Sequence, residues 1–288
     1  MTDSVLITGA STGLGLETAV HLAERGFHVY ATMRDLGKRE PLDEEAARRG
    51  VSLDVLRLDV TDPPSIGEAV AAIVERSRGI YALVNNAGIG MRGYFEDVSD
   101  EEVRQVFETN VFGTMAVTRA VLPHMRAARR GRIVFMTSVG GKIGSMGVSA
   151  YCATRFAQEG FAESLAQEVQ PLGVQVVIVE PGIVKTDLWT SANRGVASGA
   201  LDPGSPYSAW FRRLEAMTDQ LAESSPTRPR HVAETVHRAL TDRRPRMRYV
   251  VGRRAAFAVS LRRYAPAGLF ERFYFGTAIR RVTRPEPR

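Results

Sequence analysis

The sequence contains a single cysteine, Cys152, among its 288 residues. A lone thiol cannot form a disulfide within the chain, which argues against a disulfide-stabilised extracellular domain. No uninterrupted apolar run reaches about 18 residues, so a membrane-spanning helix is not expected. The start, MTDSVLITGAS, has no basic region followed by a long apolar stretch, so we expect no secretory leader. Together these absences predict a cytoplasmic protein.

Lysine is also scarce, with only Lys38, Lys142 and Lys185 against 35 arginines. The formal net charge is +6, but residues 243–288 hold thirteen arginines and two glutamates, so the preceding part of the chain is net acidic. An arginine-rich segment can bind nucleic acid, yet no recognition-helix, zinc or RNA-binding motif accompanies this one. We therefore expect no nucleic-acid partner.

Seven short runs rich in β-branched residues alternate with stretches long enough to form a helix. The runs lie at residues 4–10, 28–34, 51–60, 81–87, 131–138, 174–181 and 248–252. Strands that are buried on both faces form nearly continuous Val, Ile and Leu runs, and alternation with helices is typical of a parallel sheet. The pattern predicts one α/β domain over residues 1–252, with a doubly wound parallel sheet of about seven strands and helices on both faces.

Two segments depart from this alternation. Residues 187–230 are rich in Gly, Ser, Ala and Pro, and a long irregular insertion in a compact domain is more often a functional lid than a passive connection. Residues 253–288 form a C-terminal extension in which arginine pairs alternate with Phe, Leu and Tyr, and Pro266 and Gly268 interrupt any single long helix. We expect this extension to dock on the domain or on a sister subunit, with peripheral contact to an anionic membrane as the alternative.

The first predicted strand leads into TGASTGLG at residues 8–15, followed by a helical sequence. Glycines allow a tight turn and a close approach of backbone amides to a pyrophosphate, and the helix N-terminus adds unpaired N–H groups and a positive dipole end. At the junction of a first strand and a first helix, this pattern is typical of dinucleotide binding. The residues expected to contact the cofactor here are Gly9, Ser11, Thr12, Gly13, Leu14 and Gly15.

The end of the second strand indicates which dinucleotide binds. A carboxylate at this point hydrogen-bonds the adenosine ribose of NAD, whereas an arginine accommodates the 2′-phosphate of NADP. The strand ends in Ala, Thr and Met, followed by Arg34. We therefore predict NADP(H), to whose phosphate Ser11 can also donate. NAD is the alternative, because Asp35 follows immediately.

Six motifs, taken in this order, resemble those of the short-chain dehydrogenase/reductase family over about residues 4–252. They are TGASTGLG at 8–15, LDV at 58–60, NNAG at 85–88, TNVFG at 109–113, the serine of TSVGG at 138, and PGIVKT at 181–186. The segments VYATMRD, TSVGGKIG and YCATRFAQEGFAESLA are most similar to the branch of hydroxysteroid and retinol dehydrogenases.

The resemblance implies a Rossmann-type fold and a homodimer or homotetramer, in which the helix from Tyr151 to about Pro171 could form the interface. It also implies further cofactor contacts beyond the glycine-rich turn. These are Asp59, Val60, Asn86, Ala87, Gly88, Tyr151, Arg155, Pro181, Gly182, Val184 and Thr186.

The resemblance further places Asn110, Ser138, Tyr151 and Arg155 in an active-site tetrad. In the family, serine and tyrosine hydroxyls polarise a carbonyl, and the tyrosine transfers a proton while hydride arrives from the nicotinamide. A lysine four residues after the tyrosine acidifies it, contacts the nicotinamide ribose and passes protons toward water held by the asparagine. Here Arg155 replaces that lysine, and helical spacing keeps it on the same face as Tyr151.

Arginine retains a fixed positive charge but cannot release a proton, so it keeps one part of the lysine's role and loses the other. We expect an active NADP(H)-dependent oxidoreductase, with a water chain or a ribose hydroxyl supplying the proton. A member that binds the dinucleotide but performs isomerisation or cyclisation, or that acts as a binding protein, is the alternative. Loss of a dispensable lysine in an arginine-rich chain is a third explanation.

Apolar and aromatic residues are expected to border the substrate. They are Ile143, Met146, Val148, Leu188, Trp189, Trp210 and Phe211. Such a lining suits a bulky hydrophobic ketone or secondary alcohol of the steroid, retinoid or polyketide type. Packing beneath the lid is the alternative role for Trp210 and Phe211. The five histidines have no metal-ligand spacing, so no metal site is expected.

Overall fold

A computed structural model describes residues 2–77, 79–185 and 195–284. The strands are β1 (Ser4–Ile7), β2 (His28–Met33), β3 (Asp54–Arg57), β4 (Ala82–Asn85), β5 (Gly131–Met136), β6 (Val174–Pro181) and β7 (Arg248–Val251). The helices are α1 (Gly13–Glu24), α2 (Glu40–Arg48), α3 (Pro63–Ser77), α4 (Asp100–Phe107), α5 (Thr114–Ala128), α6 (Ser149–Val169), α7 (Ser208–Glu223), α8 (Pro229–Thr241), α9 (Arg253–Tyr264), α10 (Ala267–Phe270) and α11 (Gly276–Thr283).

All seven strands form one parallel sheet in the order β3-β2-β1-β4-β5-β6-β7. The chain winds outward from β1 in one direction and then from β4 in the other, so the doubly wound prediction is confirmed. Each predicted run contains its strand, but most strands are shorter. The run at 51–60 contributes only Asp54–Arg57, because Asp59 turns its carboxylate back onto Thr61 at the end of the strand.

The core consists of two apolar layers, one on each face of the sheet. Successive side chains of a strand point to opposite faces, so on β1 Val5 and Ile7 belong to one layer and Leu6 to the other. Residues of α1, α2 and α8 complete the first layer, and residues of α3, α5 and α6 complete the second. Burying one Leu or Ile side chain in such a layer stabilises the fold by roughly 1.5–3 kcal/mol.

The described part of the predicted lid, from residue 195, contains a short turn at Gly199–Leu201 and then α7. The C-terminal extension forms α9, α10 and α11, with a π-helical turn at Glu271–Phe275, and α9 ends just before Pro266. Arg213 of α7 donates hydrogen bonds to the carbonyl oxygens of Val282 (3.1 Å) and Arg284 (2.7 Å). The extension therefore packs against α7, which lies in the predicted lid.

Candidate active site

The glycine-rich turn lies between β1 and α1, beside the end of β4. Gly9 has a φ of +69°, and a Cβ on it would lie 2.8 Å from the Cα of Ala87. A Cβ on Gly15 would overlap the carbonyl oxygen of Gly9. Both positions therefore require glycine, one for its backbone conformation and the other for the close approach of helix and strand.

The NNAG segment fastens this turn to the sheet. The side-chain amide of Asn86 donates to the carbonyl oxygens of Thr8 and Gly9, both at 2.9 Å. The hydroxyl oxygen of Thr8 in turn accepts from the amides of Asn86 and Ala87, both at 3.0 Å. Thr12 precedes α1 and makes no side-chain capping bond, so the first-turn amides of α1 are available to a ligand. This cradle fits a pyrophosphate.

At the end of β2, Arg34 and Asp35 are both exposed. The carboxylate of Asp35 accepts a hydrogen bond from the amide of Gly37 at 2.9 Å and caps the short turn that follows. One carboxylate oxygen of Asp35 is therefore already hydrogen-bonded within the turn, while the side chain of Arg34 is exposed to solvent.

The end of β3 completes the adenosine side of the cradle. Asp59 accepts hydrogen bonds from the amide and the hydroxyl of Thr61, at 2.9 and 2.8 Å. Val60 is buried and occupies the space where a Cβ on Gly113 would lie. Glycine at 113 thus lets the helical segment carrying Asn110 approach the sheet.

Ser138 and Tyr151 meet on either side of Gly140. A Cβ on Gly140 would lie 3.4 Å from Cε1 of Tyr151 and 3.5 Å from Oγ of Ser138. Ser138 follows β5, and its Oγ accepts from the amide of Gly140 at 3.0 Å, which leaves its hydrogen free to donate. Tyr151 lies in the first turn of α6 and is half-buried. Both side chains therefore border the same small space beside Gly140.

Arg155 is buried behind Tyr151, with 8% of its surface exposed and its Cζ 5.0 Å from the centre of the Tyr151 ring. Its Nη1 donates to the carbonyl oxygen of Met136 (3.0 Å) and to Oε1 of Gln158 (2.8 Å). Its Nη2 lies 3.0 Å from where a Cβ on Gly88 would be. The cation is thus held between the tyrosine ring and the loop after β4.

Asn110 lies in a π-helical turn, Glu108–Gly113, and is fully buried. Its side-chain amide donates to the carbonyl oxygen of Ile89 (2.9 Å) and accepts from the amide of the same residue (2.8 Å). The π-helical turn departs from ordinary helical pairing and leaves the Asn110 carbonyl oxygen to a side chain. Nε2 of Gln158 donates to this carbonyl oxygen at 2.6 Å and to the hydroxyl oxygen of Thr114 at 3.1 Å.

Sequence reasoning missed Gln158. The signal was its position three residues after Arg155, which puts a side chain with both an acceptor and a donor on the same helical face. In this chain the glutamine amide bridges the guanidinium to the Asn110 carbonyl oxygen, where the family resemblance implies water.

A buried ion-pair network lies beyond Arg155 and was also missed. Glu159 lies 3.0 Å from Nζ of Lys142 and 3.1 Å from Nη2 of Arg248, and Glu180 lies 3.6 and 3.2 Å from the same two side chains. Burial, together with the charge of Glu159, raises the pKa of Glu180 to about 7. The network joins α6 to β6 and β7, and it commits Lys142 to structural ion pairs.

Aromatic residues converge between the lid and the loop after β4. The rings of Tyr94 and Tyr207 stack with centres 4.7 Å apart, and Trp210 lies 6.2 Å from Tyr94. The Tyr94 hydroxyl donates to Sδ of Met146 at 2.9 Å. Met146 and Trp210, both predicted to border the substrate, thus belong to one aromatic cluster, and Tyr94 and Tyr207 are its unpredicted members.

The other predicted substrate and loop residues are distributed more widely. Phe211 of α7 is buried in one apolar cluster with Ala150 at the start of α6, Ile143 is buried, and Val148 is half-buried. Pro181 and Val184 are buried at the end of β6, and the amide of Gly182 donates to the carbonyl oxygen of Val251 at 3.0 Å. Thr186, Leu188 and Trp189 lie outside the described residues.

Among residues 2–77, 79–185 and 195–284, no group of three His, Cys, Asp or Glu side chains is arranged to hold a metal ion. Within the same ranges, none of the helices has the length and apolar character needed to cross a bilayer.

Residues 3–197 match a family model described as short chain dehydrogenase. The chain belongs to this family. The resemblance drawn from the six motifs is thereby confirmed, and with it the expectation of an oxidoreductase with a nicotinamide cofactor.

Three members of the family illustrate the relationship. Retinol dehydrogenase 8 of Bos taurus is 35% identical over 271 residues, covering 92% of this chain and 86% of its own. 17-beta-hydroxysteroid dehydrogenase type 1 of Homo sapiens is 35% identical over 271 residues, covering 92% and 82%. The structure of a variant of actinorhodin polyketide ketoreductase with NADPH matches with a TM-score of 0.75 and 31% identity, covering 87% of this chain and 96% of that one. These relatives support the hydroxysteroid and retinol dehydrogenase branch.

Proposed function

We propose that the protein is an NADP(H)-dependent oxidoreductase that transfers a hydride between the nicotinamide and a bulky hydrophobic ketone or secondary alcohol. The observation that carries this proposal is that the side chains of Ser138 and Tyr151 both border Gly140, with the buried guanidinium of Arg155 5.0 Å from the centre of the tyrosine ring. Such a constellation polarises a carbonyl oxygen and stabilises the negative charge that develops on it.

The preference for NADP(H) rests on the end of β2. Arg34 is exposed there, while Asp35 is engaged by the amide of Gly37. A guanidinium attracts the 2′-phosphate of NADP, whereas a carboxylate repels it. Ser11 in the glycine-rich turn offers a second hydrogen-bond donor to this phosphate. When bound, the nicotinamide would supply or accept the hydride.

In the proposed mechanism, Ser138 and Tyr151 hold the carbonyl oxygen of the substrate, and Tyr151 donates the proton during reduction. Arg155 places a permanent positive charge 5.0 Å from the centre of the Tyr151 ring. It cannot return a proton to Tyr151, and the Asn110 carbonyl oxygen is already bonded to Gln158. We therefore propose that the proton reaches Tyr151 through water on its open side or through a ribose hydroxyl.

The substrate class follows from the aromatic cluster of Tyr94, Tyr207 and Trp210 with Met146. These side chains offer a broad apolar surface with a few hydroxyl groups, as is typical of sites for large hydrophobic ligands. The names of the relatives refer to retinol, a hydroxysteroid and a polyketide, which supports a substrate of this size and polarity.

The test is NADPH oxidation measured with a panel of apolar ketones. We expect turnover by the wild type, none by Tyr151→Phe, and an equal or higher rate in Arg155→Lys, because an ammonium keeps the charge and can also release a proton. Calorimetry with NADPH serves as the control for Tyr151→Phe, which should still bind it. Tight NADPH binding by the wild type without turnover of any ketone or alcohol would refute the redox assignment.

A second candidate function has one observation in its favour. Because Gln158 donates to the Asn110 carbonyl oxygen and an arginine does not release a proton, the family's proton relay would be closed in this chain. The fold and cofactor would then serve isomerisation, cyclisation or binding alone. Retention of the native reaction in Tyr151→Phe would favour this candidate.

We also propose a homodimer or homotetramer formed through α6. Phe156 on α6 and Phe112 on the adjoining π-helical turn are 47% and 55% exposed, and an interface through α6 would bury these two side chains. Sedimentation velocity should show a dimer or larger species, and an exclusively monomeric profile would contradict this. We place the protein in the cytoplasm, where its single cysteine, buried on α6, would remain reduced.

A further inference from the structure

The C-terminal extension carries an unusual density of exposed apolar side chains. Phe257 and Tyr264 on α9 are 70% and 76% exposed, and Leu269, Phe273 and Ile279 further along are 50%, 60% and 48% exposed. Burying side chains of this kind is worth roughly 1.5–3 kcal/mol each, so leaving them in water is unfavourable unless they have a partner. We call residues 253–284 with these side chains the C-terminal surface.

The exposed side chains lie on helical faces that point away from the protein. Phe257 and Tyr264 are two turns apart on α9, so they share one face. Leu269 lies on α10 and Phe273 on the π-helical turn that follows it. Phe270 and Val282, by contrast, are buried with about 1% of their surface exposed. Phe270 packs against Tyr274 and Phe275 of the extension itself, so the extension buries one set of apolar residues and presents a second set outward.

The same surface is strongly basic. The pairs Arg253–Arg254, Arg262–Arg263 and Arg280–Arg281 are exposed, as is Arg272, and Glu271 is the only acid in residues 253–284. Arg262 and Arg263 lie over the rings of Phe270 and Tyr264, at 5.2 and 5.4 Å from the ring centres. None of the paired arginines forms an ion pair with a carboxylate among the described residues. The cations are therefore available to an external anion.

Aromatic side chains interleaved with arginines match the boundary of an anionic bilayer. Rings enter the region between headgroups and acyl chains, while guanidinium groups bind lipid phosphates. A second copy of the chain is a poorer partner, because a two-fold contact would set one arginine-rich face against another. We propose that the C-terminal surface is a docking site for membranes that contain anionic lipids.

The position of this surface links it to the lid. α11 is bonded to α7 through Arg213, and α7 carries Trp210 and Phe211. Docking would therefore bring the lid helix close to the bilayer, where hydrophobic molecules dissolve. The docking itself does not depend on the proposed oxidoreductase activity and is tested without substrate.

The experiment is co-flotation of the full chain with vesicles of phosphatidylcholine, with and without phosphatidylserine. We expect flotation only with phosphatidylserine, decreasing as salt is raised, because the attraction is screened. Arg280→Gln/Arg281→Gln should weaken the apparent affinity about 30-fold, from roughly fivefold for each arginine. Phe257→Ser/Phe273→Ser should weaken it as well.

Matched controls separate docking from general effects. Phe95→Ser removes a 67% exposed phenylalanine outside the extension and should float like the wild type. Arg119→Gln/Arg126→Gln removes two exposed arginines of α5 and should also leave flotation unchanged. Circular dichroism and NADPH calorimetry verify that each variant folds. If one pair of substitutions in the extension prevents folding, the other still decides the result.

Three outcomes would overturn the proposal. The first is that the wild type does not float with either vesicle. The second is that flotation is the same in both variants of the extension as in the wild type. The third is that the C-terminal surface serves another partner, shown either by tighter binding of a labelled oligonucleotide than of vesicles, or by loss of self-association in Phe257→Ser/Phe273→Ser.

Discussion

Gln158→Met is the substitution that most directly tests the bridge between the cation and the Asn110 carbonyl oxygen. Methionine has nearly the same length and flexibility as glutamine, so it fills the space but offers neither a strong donor nor a strong acceptor. The substitution removes the bond from Arg155 at 2.8 Å and the bonds to Asn110 and Thr114 at 2.6 and 3.1 Å. Arg155 keeps its bond to Met136.

The magnitude follows from these bonds. A hydrogen bond to a charged group contributes about 1.5–3 kcal/mol and a neutral one about 0.5–1.5 kcal/mol. The free energy of unfolding should therefore fall by roughly 2.5–6 kcal/mol. A guanidinium held by one bond instead of two can shift, and a misplacement of about 1 Å in an active site can cost on the order of 100-fold in rate. We expect kcat to fall at least tenfold, with a smaller change in KM.

Urea unfolding and steady-state reduction with NADPH measure the two effects. Gln158→Glu keeps an acceptor for Arg155 but loses the donor to Asn110, so it should lose stability while kcat falls less than in Gln158→Met. Gln167→Met makes the same change at an exposed position of α6 and should alter stability by less than about 0.5 kcal/mol. Unchanged stability and unchanged kcat in Gln158→Met would refute the positioning role of Gln158.

Two further predictions concern charge. Arg34→Ala should raise the KM for NADPH by roughly tenfold or more, because a charge-assisted hydrogen bond is lost. The KM for NADH should stay nearly unchanged. An unaltered preference for NADPH over NADH would contradict the role of Arg34. The raised pKa of Glu180 means that the folded state holds its proton more tightly than the unfolded chain. This contribution to stability is complete below pH 4.5 and is lost as pH rises to about 7. Urea unfolding at pH 5 and pH 8 measures this effect. The stability of Glu180→Gln relative to the wild type should be greater at pH 8 than at pH 5. An equal difference at the two pH values would count against a raised pKa of Glu180.

The strands of the sheet were predictable because each one is indicated by the residue types of a short continuous segment. Near-continuous Val, Ile and Leu runs such as 174–181 are typical of strands buried on both faces, and β6 spans that whole run. Strand ends were less predictable, because an apolar residue next to a strand packs in the core whether or not its backbone pairs. Leu53 and Leu58 flank β3 and pack in opposite core layers without belonging to the strand.

Residues of the candidate site were predictable where they lie together in one short segment of the sequence. The glycine spacing of residues 8–15 and the helical spacing from Tyr151 to Arg155 follow from local backbone geometry. The acceptors of Arg155 are local only in part, because helical spacing indicates Gln158 but neither its own partner nor the second acceptor. One lies on β5, 19 residues earlier, and the glutamine that is its other acceptor bonds in turn to a carbonyl oxygen 48 residues away.

The sequence by itself determined the order of strands and helices, the phosphate cradle and the place of a cation one helical turn after Tyr151, because each depends on neighbours within a few residues. Only the tertiary structure decided that Gln158 takes the Asn110 carbonyl oxygen, that Glu180 is buried beside a second acid, and that the arginines of the extension face outward. Hydrogen-bond partners and burial depend on distances of a few ångströms between segments far apart in the chain, and folding alone sets those distances.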